Sequence, residues 1–439
     1  MAAPPRRSSR ARPSFGPARA QRFLDGAVSA APGQKPYGFT PSFASDRDPL
    51  PRARALESVE GRLRDLGPAA CQAFVDLRVL EPEVKDSSSH SVVGFCVDLD
   101  SGLPMAVKAF PWLRSDALVA MAHEQGDEPR SGEAGPTSVL GLQYEACAYG
   151  EAAERLGTPN IVQALGTLTV AWDDPAMGMP FLRTLAEQAV LQLGTVSPLL
   201  HAAVGLELVF TERRLGALPF HDAVRGASLE AVRALVFQTV YTLYAMQQAQ
   251  VQHHDLHLRN MLVDIDPDEE RVEYRAAGLT FDVPLVDGKV MVFDWDRGYT
   301  PACGPNLRLD LADCRQTSAC SQVTSKYDWV MLLHKLSIAE TWGDGDMRAF
   351  AHDMLGLNAI QEMRDGLGFP CNEAVAASDR CAPWPPTGTG WLDEVADIAD
   401  AFEHDYFQPL RALQAYEEAA WEAAPMSWDA PLDAEAAWY

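Results

Sequence analysis

Lysine is scarce in this chain. Of 36 basic residues only Lys35, Lys85, Lys108, Lys289, Lys326 and Lys335 are lysines, the rest being arginines. A lysine set in an apolar strand is therefore a marked choice. Long apolar runs are also missing. The most apolar stretch, Ala189 to Phe210, is broken by Gln192, Pro198, His201 and Glu207, whereas a bilayer span needs about 20 apolar residues in a row. No membrane partner is expected. There is no Cys-x-x-Cys pair and no secretory signal peptide. The eight cysteines (Cys71, Cys96, Cys147, Cys303, Cys314, Cys320, Cys371 and Cys381) are scattered along the chain. Reduced thiols in an intracellular compartment, cytoplasmic or nuclear, are the expectation. Cys303, Cys314 and Cys320 crowd into one segment and could contribute to a zinc site, but their spacing fits no usual ligand pattern. Positive charge is in deficit too. A net charge of −25 repels phosphate backbones, so general nucleic-acid binding is not expected.

What is present is core-forming. The 47% apolar content of 439 residues is enough for one large two-lobed domain or two to three ordinary ones. Residues 1–50 read as a disordered arm rich in Pro, Ser, Ala, Gly and Arg. Arg6, Arg7, Arg10, Arg12, Arg19 and Arg22 make its start basic, so the arm is where nucleic acid could be touched, unless it is a targeting or solvated tail. Residues 416–439 read as an acidic tail carrying Trp421, Trp428 and Trp438. Between these ends, strands come first. Phe74–Leu80, Val92–Leu99 and Pro104–Phe110 have strand character, and Asp100-Ser101-Gly102 supplies hairpin-turn chemistry. A helix over Val139–Leu156 and strands over Ile161–Val170 and Leu206–Phe210 follow. From Leu229 the period becomes helical, with Val232, Leu235, Val236, Thr239, Val240, Leu243 and Met246 on one stripe. Residues 51–212 thus read as a strand-rich N-lobe and 213–415 as a helical C-lobe, an α+β arrangement with a cleft between. Three stretches look inserted: Glu124–Pro136, Asp173–Ala203 and Asp264–Lys289.

The helical stripe runs into His253-His254-Asp255-Leu256-His257-Leu258-Arg259-Asn260, followed by the apolar Met261-Leu262-Val263. This segment resembles the catalytic loop of the protein-kinase superfamily, H-x-D with an Asn five residues after the Asp. Val290-Met291-Val292-Phe293-Asp294 with Trp295-Asp296 stands where D-F-G is expected, and Ala106-Val107-Lys108 resembles the phosphate-binding strand lysine. The resemblance implies a two-lobed kinase-like fold and phosphoryl transfer from ATP with Mg²⁺ to a protein Ser/Thr hydroxyl. In it Asp255 is the catalytic base, Asn260 and Asp294 hold metal, and Lys108 pairs the nucleotide phosphates. Glu145 is favoured as the partner of Lys108, with Glu151 and Glu154 open on the same helix. Thr158-Pro159-Asn160-Ile161-Val162 resembles the run after that helix. Ser88, Ser89, Val93 and Ala106 are expected around the nucleotide, together with backbone groups near Glu212 and Arg214. Tyr327-Asp328-Trp329 resembles the helix start whose Asp braces the catalytic loop. Among kinases, the pattern resembles divergent enzymes encoded by large DNA viruses and, more distantly, haspin.

The chain departs from that pattern in places. Asp86-Ser87-Ser88-Ser89-His90-Ser91-Val92-Val93 replaces the glycine-rich phosphate loop, and glycines are what let backbone amides approach phosphate closely. Asp296 replaces the last Gly of D-F-G, and His254 replaces the Arg that reads a phosphorylated loop, so activation by loop phosphorylation is not expected. His257 takes the usual Lys position of the catalytic loop. A His there is also the habit of choline and aminoglycoside kinases. A small-molecule kinase and a pseudokinase scaffold are therefore the alternative expectations.

Overall fold

A computed structural model describes residues 51–79, 91–113, 136–193, 202–309, 326–338, 345–356 and 395–412. The arm, the acidic tail, most of Glu124–Pro136, and Cys314, Cys320, Cys371 and Cys381 lie outside the described residues. The architecture is mixed α+β. Helix α1 (Arg52–Leu66) leads into β1 (Phe74–Val79), β2 (Val92–Asp98) and β3 (Pro104–Trp112). Helix α2 (Pro136–Leu156), β4 (Ala164–Ala171), α3 (Pro180–Leu193) and β5 (Gly205–Glu212) follow. These strands form one antiparallel sheet in the order β1-β2-β3-β5-β4.

Alternation along the strands separates the two faces of the sheet. Met105, Val107 and Ala109 of β3 and Leu206, Leu208 and Phe210 of β5 share one buried cluster with Ala55, Leu56, Val59 and Leu63 of α1. Phe181, Leu182, Leu185, Ala186 and Ala189 of α3 complete it. The supposed insertion Asp173–Ala203 is thus partly core, because α3 covers an apolar sheet face that would otherwise meet water. The opposite face carries Ala106, Lys108 and Phe110, and Phe110 packs with Leu142, Tyr149 and Ala152 of α2.

The second half begins with β6 (Leu218–Pro219), a short helical turn and α4 (Leu229–Gln248). Ser228 caps α4, its hydroxyl accepting from the Ala231 amide at 3.1 Å, which satisfies one of the orphan donors of the first turn. Strand β7 (Met261–Asp264) pairs antiparallel with β10 (Lys289–Val292), and the hairpin β8 (Arg271–Ala276) to β9 (Leu279–Pro284) fills the interval. That hairpin is anchored through Tyr274 and Phe281, which pack on Phe237 of α4. Helices α5 (Tyr327–Ser337) and α6 (Gly345–Leu355) close the far side. Among the described residues, no helix is long and apolar enough to cross a membrane.

The cysteine expectation is corrected. Cys147 of α2 and Cys303 form a disulfide, with Cα atoms 6.0 Å apart, while Cys71 and Cys96 are buried free thiols. The pair is 156 residues apart in sequence, so only the fold brings it together. A bonded Cys303 is not available to zinc.

Candidate active site

The β7–β10 register builds the centre. Val292 faces Met261, so the residue before β7 meets the segment leaving β10. The Asn260 carbonyl accepts from the Phe293 amide at 3.1 Å, which sets Asn260 and Asp294 side by side although they are 34 positions apart. Lys108 reaches in from β3. Its ammonium donates to Asp294 Oδ1 at 2.7 Å and to Glu145 Oε2 of α2 at 2.5 Å. Of the other two candidate glutamates, Glu151 pairs with Arg155 on the surface at 3.2 Å, and the Glu154 side chain lies outside the described residues.

Two carboxylates meet one ammonium, and the three groups set one another's charge. Burial works against the Lys108 charge, but Asp294 and then Glu145 outweigh it and hold the lysine well above its ordinary value. Burial pushes Glu145 up to about 8 against the pull of Lys108. Asp294 would also be raised by burial, yet Lys108 holds it down at about 2. A cation beside Asp294 would add to the pull that Lys108 exerts on both carboxylates. The residues present fit such an ion. The Asn260 amide nitrogen is committed to Asp255 O at 2.9 Å, which leaves its oxygen as a ligand atom. One carboxylate and one amide make a partial shell of the kind that Mg²⁺ completes with waters and phosphate oxygens.

Asp255 lies beside this pair. Burial pushes its carboxyl up, with Arg297 and His257 pulling it back. Arg297 Nη1 is 3.2 Å from Asp255 Oδ1, and His257 Nε2 is 3.9 Å from Oδ2. Burial lowers the His257 imidazole, Asp255 opposing. The loop itself is clamped from below. The amides of His253 and His254 donate to the two oxygens of Asp328 at the start of α5, at 2.7 and 2.8 Å. His254 has φ +58° and Asp294 φ +69°, a left-handed backbone that side-chain-bearing residues adopt only when the surroundings dictate it.

Other expected residues are distributed around this centre. Val93 is directly across from Lys108, and Ala106 stands between Phe95 and Thr211 on the same face. Ser88 and Ser89 lie outside the described residues. The Glu212 and Arg214 side chains turn elsewhere: Glu212 pairs with Arg52 of α1, and Arg214 with Asp264 at 2.5 Å. A cavity of about 620 Å³ opens there, lined among others by Arg52, Gln163 and Lys289. Its Arg52, Arg214 and Lys289 already have carboxylate partners in Glu212, Asp264 and Glu269, and its Arg64 pairs with Asp65.

Several participants carried no sequence signal, because only the fold relates them. The Tyr149 hydroxyl accepts from the Asp294 amide at 3.0 Å. Tyr144 accepts from the Thr300 amide at 2.8 Å and donates to Gly304 O at 3.0 Å. Asp296 pairs with Arg308. Gly141 of α2 permits this, since a Cβ there would stand 2.8 Å from Asp296 O. Arg213 stacks over the Phe95 ring, 3.7 Å from its centroid. A scan against protein-family models finds no match, and no curated protein matches the chain.

Proposed function

We propose that the chain adopts a two-lobed, protein-kinase-like fold and moves the γ-phosphoryl group of ATP to a Ser/Thr hydroxyl of a protein. The observation that carries this is Lys108 bridging Glu145 and Asp294, with Asn260 and Asp255 beside them. Such a reaction needs positioned charge more than covalent chemistry. In this reading Lys108 pairs the nucleotide phosphates, and Glu145 keeps the lysine aimed. Asp255 orients and accepts the acceptor's hydroxyl proton. Asn260 and Asp294 hold the metal, which when bound neutralises phosphate oxygens. Val93 and Ala106 form the roof over the base, and Ser88 and Ser89 are assigned to the phosphates from the sequence resemblance alone.

A kinase-like scaffold that takes no nucleotide is the second reading, and it rests on Arg213. Its guanidinium covers Phe95 in the row of Ala106, where a base would stack. One experiment separates the two. Thermal unfolding is followed with ATP, with and without Mg²⁺, alongside γ-labelled ATP incubations with casein, histone, choline and an aminoglycoside. The kinase reading expects Mg²⁺-dependent stabilisation by ATP and labelling of protein. Asp294→Asn should lose both. Asp255→Asn should keep the stabilisation while transfer falls by roughly 10²–10⁴-fold. No stabilisation under any condition would favour the scaffold, and labelling of choline or the aminoglycoside alone would mean a small-molecule kinase.

A further inference from the structure

The two oxygens of Asp255 have unequal surroundings. Oδ1 is met by Arg297 Nη1 at 3.2 Å. Among the described residues, Oδ2 is met by the Asn260 amide nitrogen at 3.5 Å and His257 Nε2 at 3.9 Å, the outer edge of polar contact. A carboxylate that must take a proton from a hydroxyl needs one oxygen open and its plane fixed. A guanidinium suits the second task. It is planar, directional and permanently charged, whereas an imidazole is charged only when protonated.

Arg297 is itself well seated. Its carbonyl contacts His254 Nδ1 at 3.2 Å, and the Gly298 amide closes a turn onto Trp295 O at 2.8 Å. Trp295 is fully buried against His253, 4.9 Å between ring centroids. On the other side, Asp296 is pinned to Arg308, and Asn306 donates to Asp296 O and Gly298 O at 3.1 and 2.8 Å. Arg297 thus projects from a braced turn, and its guanidinium meets a carboxylate on a separately braced loop.

We propose that Arg297 is a positioning residue for phosphoryl transfer, fixing Asp255 through Oδ1 so that Oδ2 is presented to the acceptor hydroxyl. The inference rests on the function proposed above and adds a residue outside the catalytic-loop pattern. It also gives the cation beside Asp255 to Arg297 rather than to His257.

A double-mutant cycle on the full chain tests it, using Arg297→Ala, Arg297→Lys, Asp255→Asn and the Asp255→Asn/Arg297→Ala double variant. Rates are measured with γ-labelled ATP on whichever acceptor the wild type labels best, and stabilisation by Mg·ATP is followed in parallel. Arg297→Ala should lower kcat about 10- to 100-fold. The KM for ATP should stay within about twofold, and the Mg·ATP stabilisation should be retained. Arg297→Lys should recover part of the rate. The double variant should be no slower than Asp255→Asn alone, because both losses run through one carboxylate. Wild-type kcat in Arg297→Ala, or a double variant slower by the full factor of the single one, overturns the inference while leaving the kinase reading standing. If Arg297→Ala does not fold, Arg297→Gln takes its place in the cycle. A wild type that labels no acceptor overturns the function itself, and this inference with it.

Discussion

At the scale of single residues, charge placement governs what this protein tolerates. His334 of α5 shows this away from the candidate site. Burial, with neighbouring Lys335 adding to it, lowers its imidazole from 6.5 to about 4. The folded chain therefore binds fewer protons than the unfolded chain between those values. The stability His334 contributes is complete above about pH 6.5 and is lost as pH falls toward 4. His334→Gln should flatten that part of the acid limb, seen as a smaller drop in the urea midpoint between pH 6.5 and 4 than in the wild type. An unchanged slope would mean that His334 is readily protonated in the folded state. Residues of this sort could not be found from sequence, since nothing in Leu333-His334-Lys335 marks burial. Lys108, Asp255, Asn260 and Asp294 were named through the family resemblance, which the apolar strands and helix beside them made legible. Arg297 and Tyr149 could not, because their partners lie 42 and 145 positions away.

At the scale of elements, a buried polar knot ties the turn after α2 to α4, the β8–β9 hairpin and β10. Asn160 is fully buried. Its amide donates to Gln238 Oε1 and Val290 O, both at 3.0 Å, and its oxygen accepts from the Tyr274 hydroxyl at 3.0 Å. Gln238 in turn donates to Gly288 O at 3.1 Å and accepts from the Val290 amide at 2.9 Å. Asn160→Leu would strand the Tyr274 hydroxyl and the Val290 carbonyl, at about 1–3 kcal/mol for each unsatisfied group. A loss of about 2–4 kcal/mol is expected in urea unfolding. Arg52→Ala, which breaks a pair with the buried Glu212 and one with the exposed Asp268 but leaves Glu212 with Arg214 at 3.6 Å, should lower stability by about 1–2 kcal/mol. If Arg52→Ala is the more damaging change, the knot is not the main fastening. The strands and α4 were legible in the sequence because their apolar periods are clean. Helix α1 carries a weaker stripe among its arginines. Helix α3 and the β8–β9 hairpin read as insertions because their burial depends on surfaces made by distant segments.

At the scale of the whole molecule, the disulfide between Cys147 and Cys303 joins the helix bearing Glu145 to the segment that follows Arg297. The Tyr144 hydrogen bonds to Thr300 and Gly304 make the same connection without a covalent bond. Cross-linking positions 156 apart removes a large loop from the unfolded ensemble, worth about 5 kcal/mol in the chain-entropy account. Reductant should therefore lower the urea midpoint of the wild type and leave the Cys147→Ser/Cys303→Ser variant unmoved. Equal midpoints with and without reductant would mean that the thiols are unpaired in solution. The bond also makes the backbone from 147 to 303 a closed ring threaded through β4, β5, α4, the 253–260 loop and β10. A single protease cut anywhere in that ring opens it without releasing a piece. A nicked molecule would run as one chain on a gel without reductant and as two with it, so cleavage between the halves would go unseen until the sulfurs were parted.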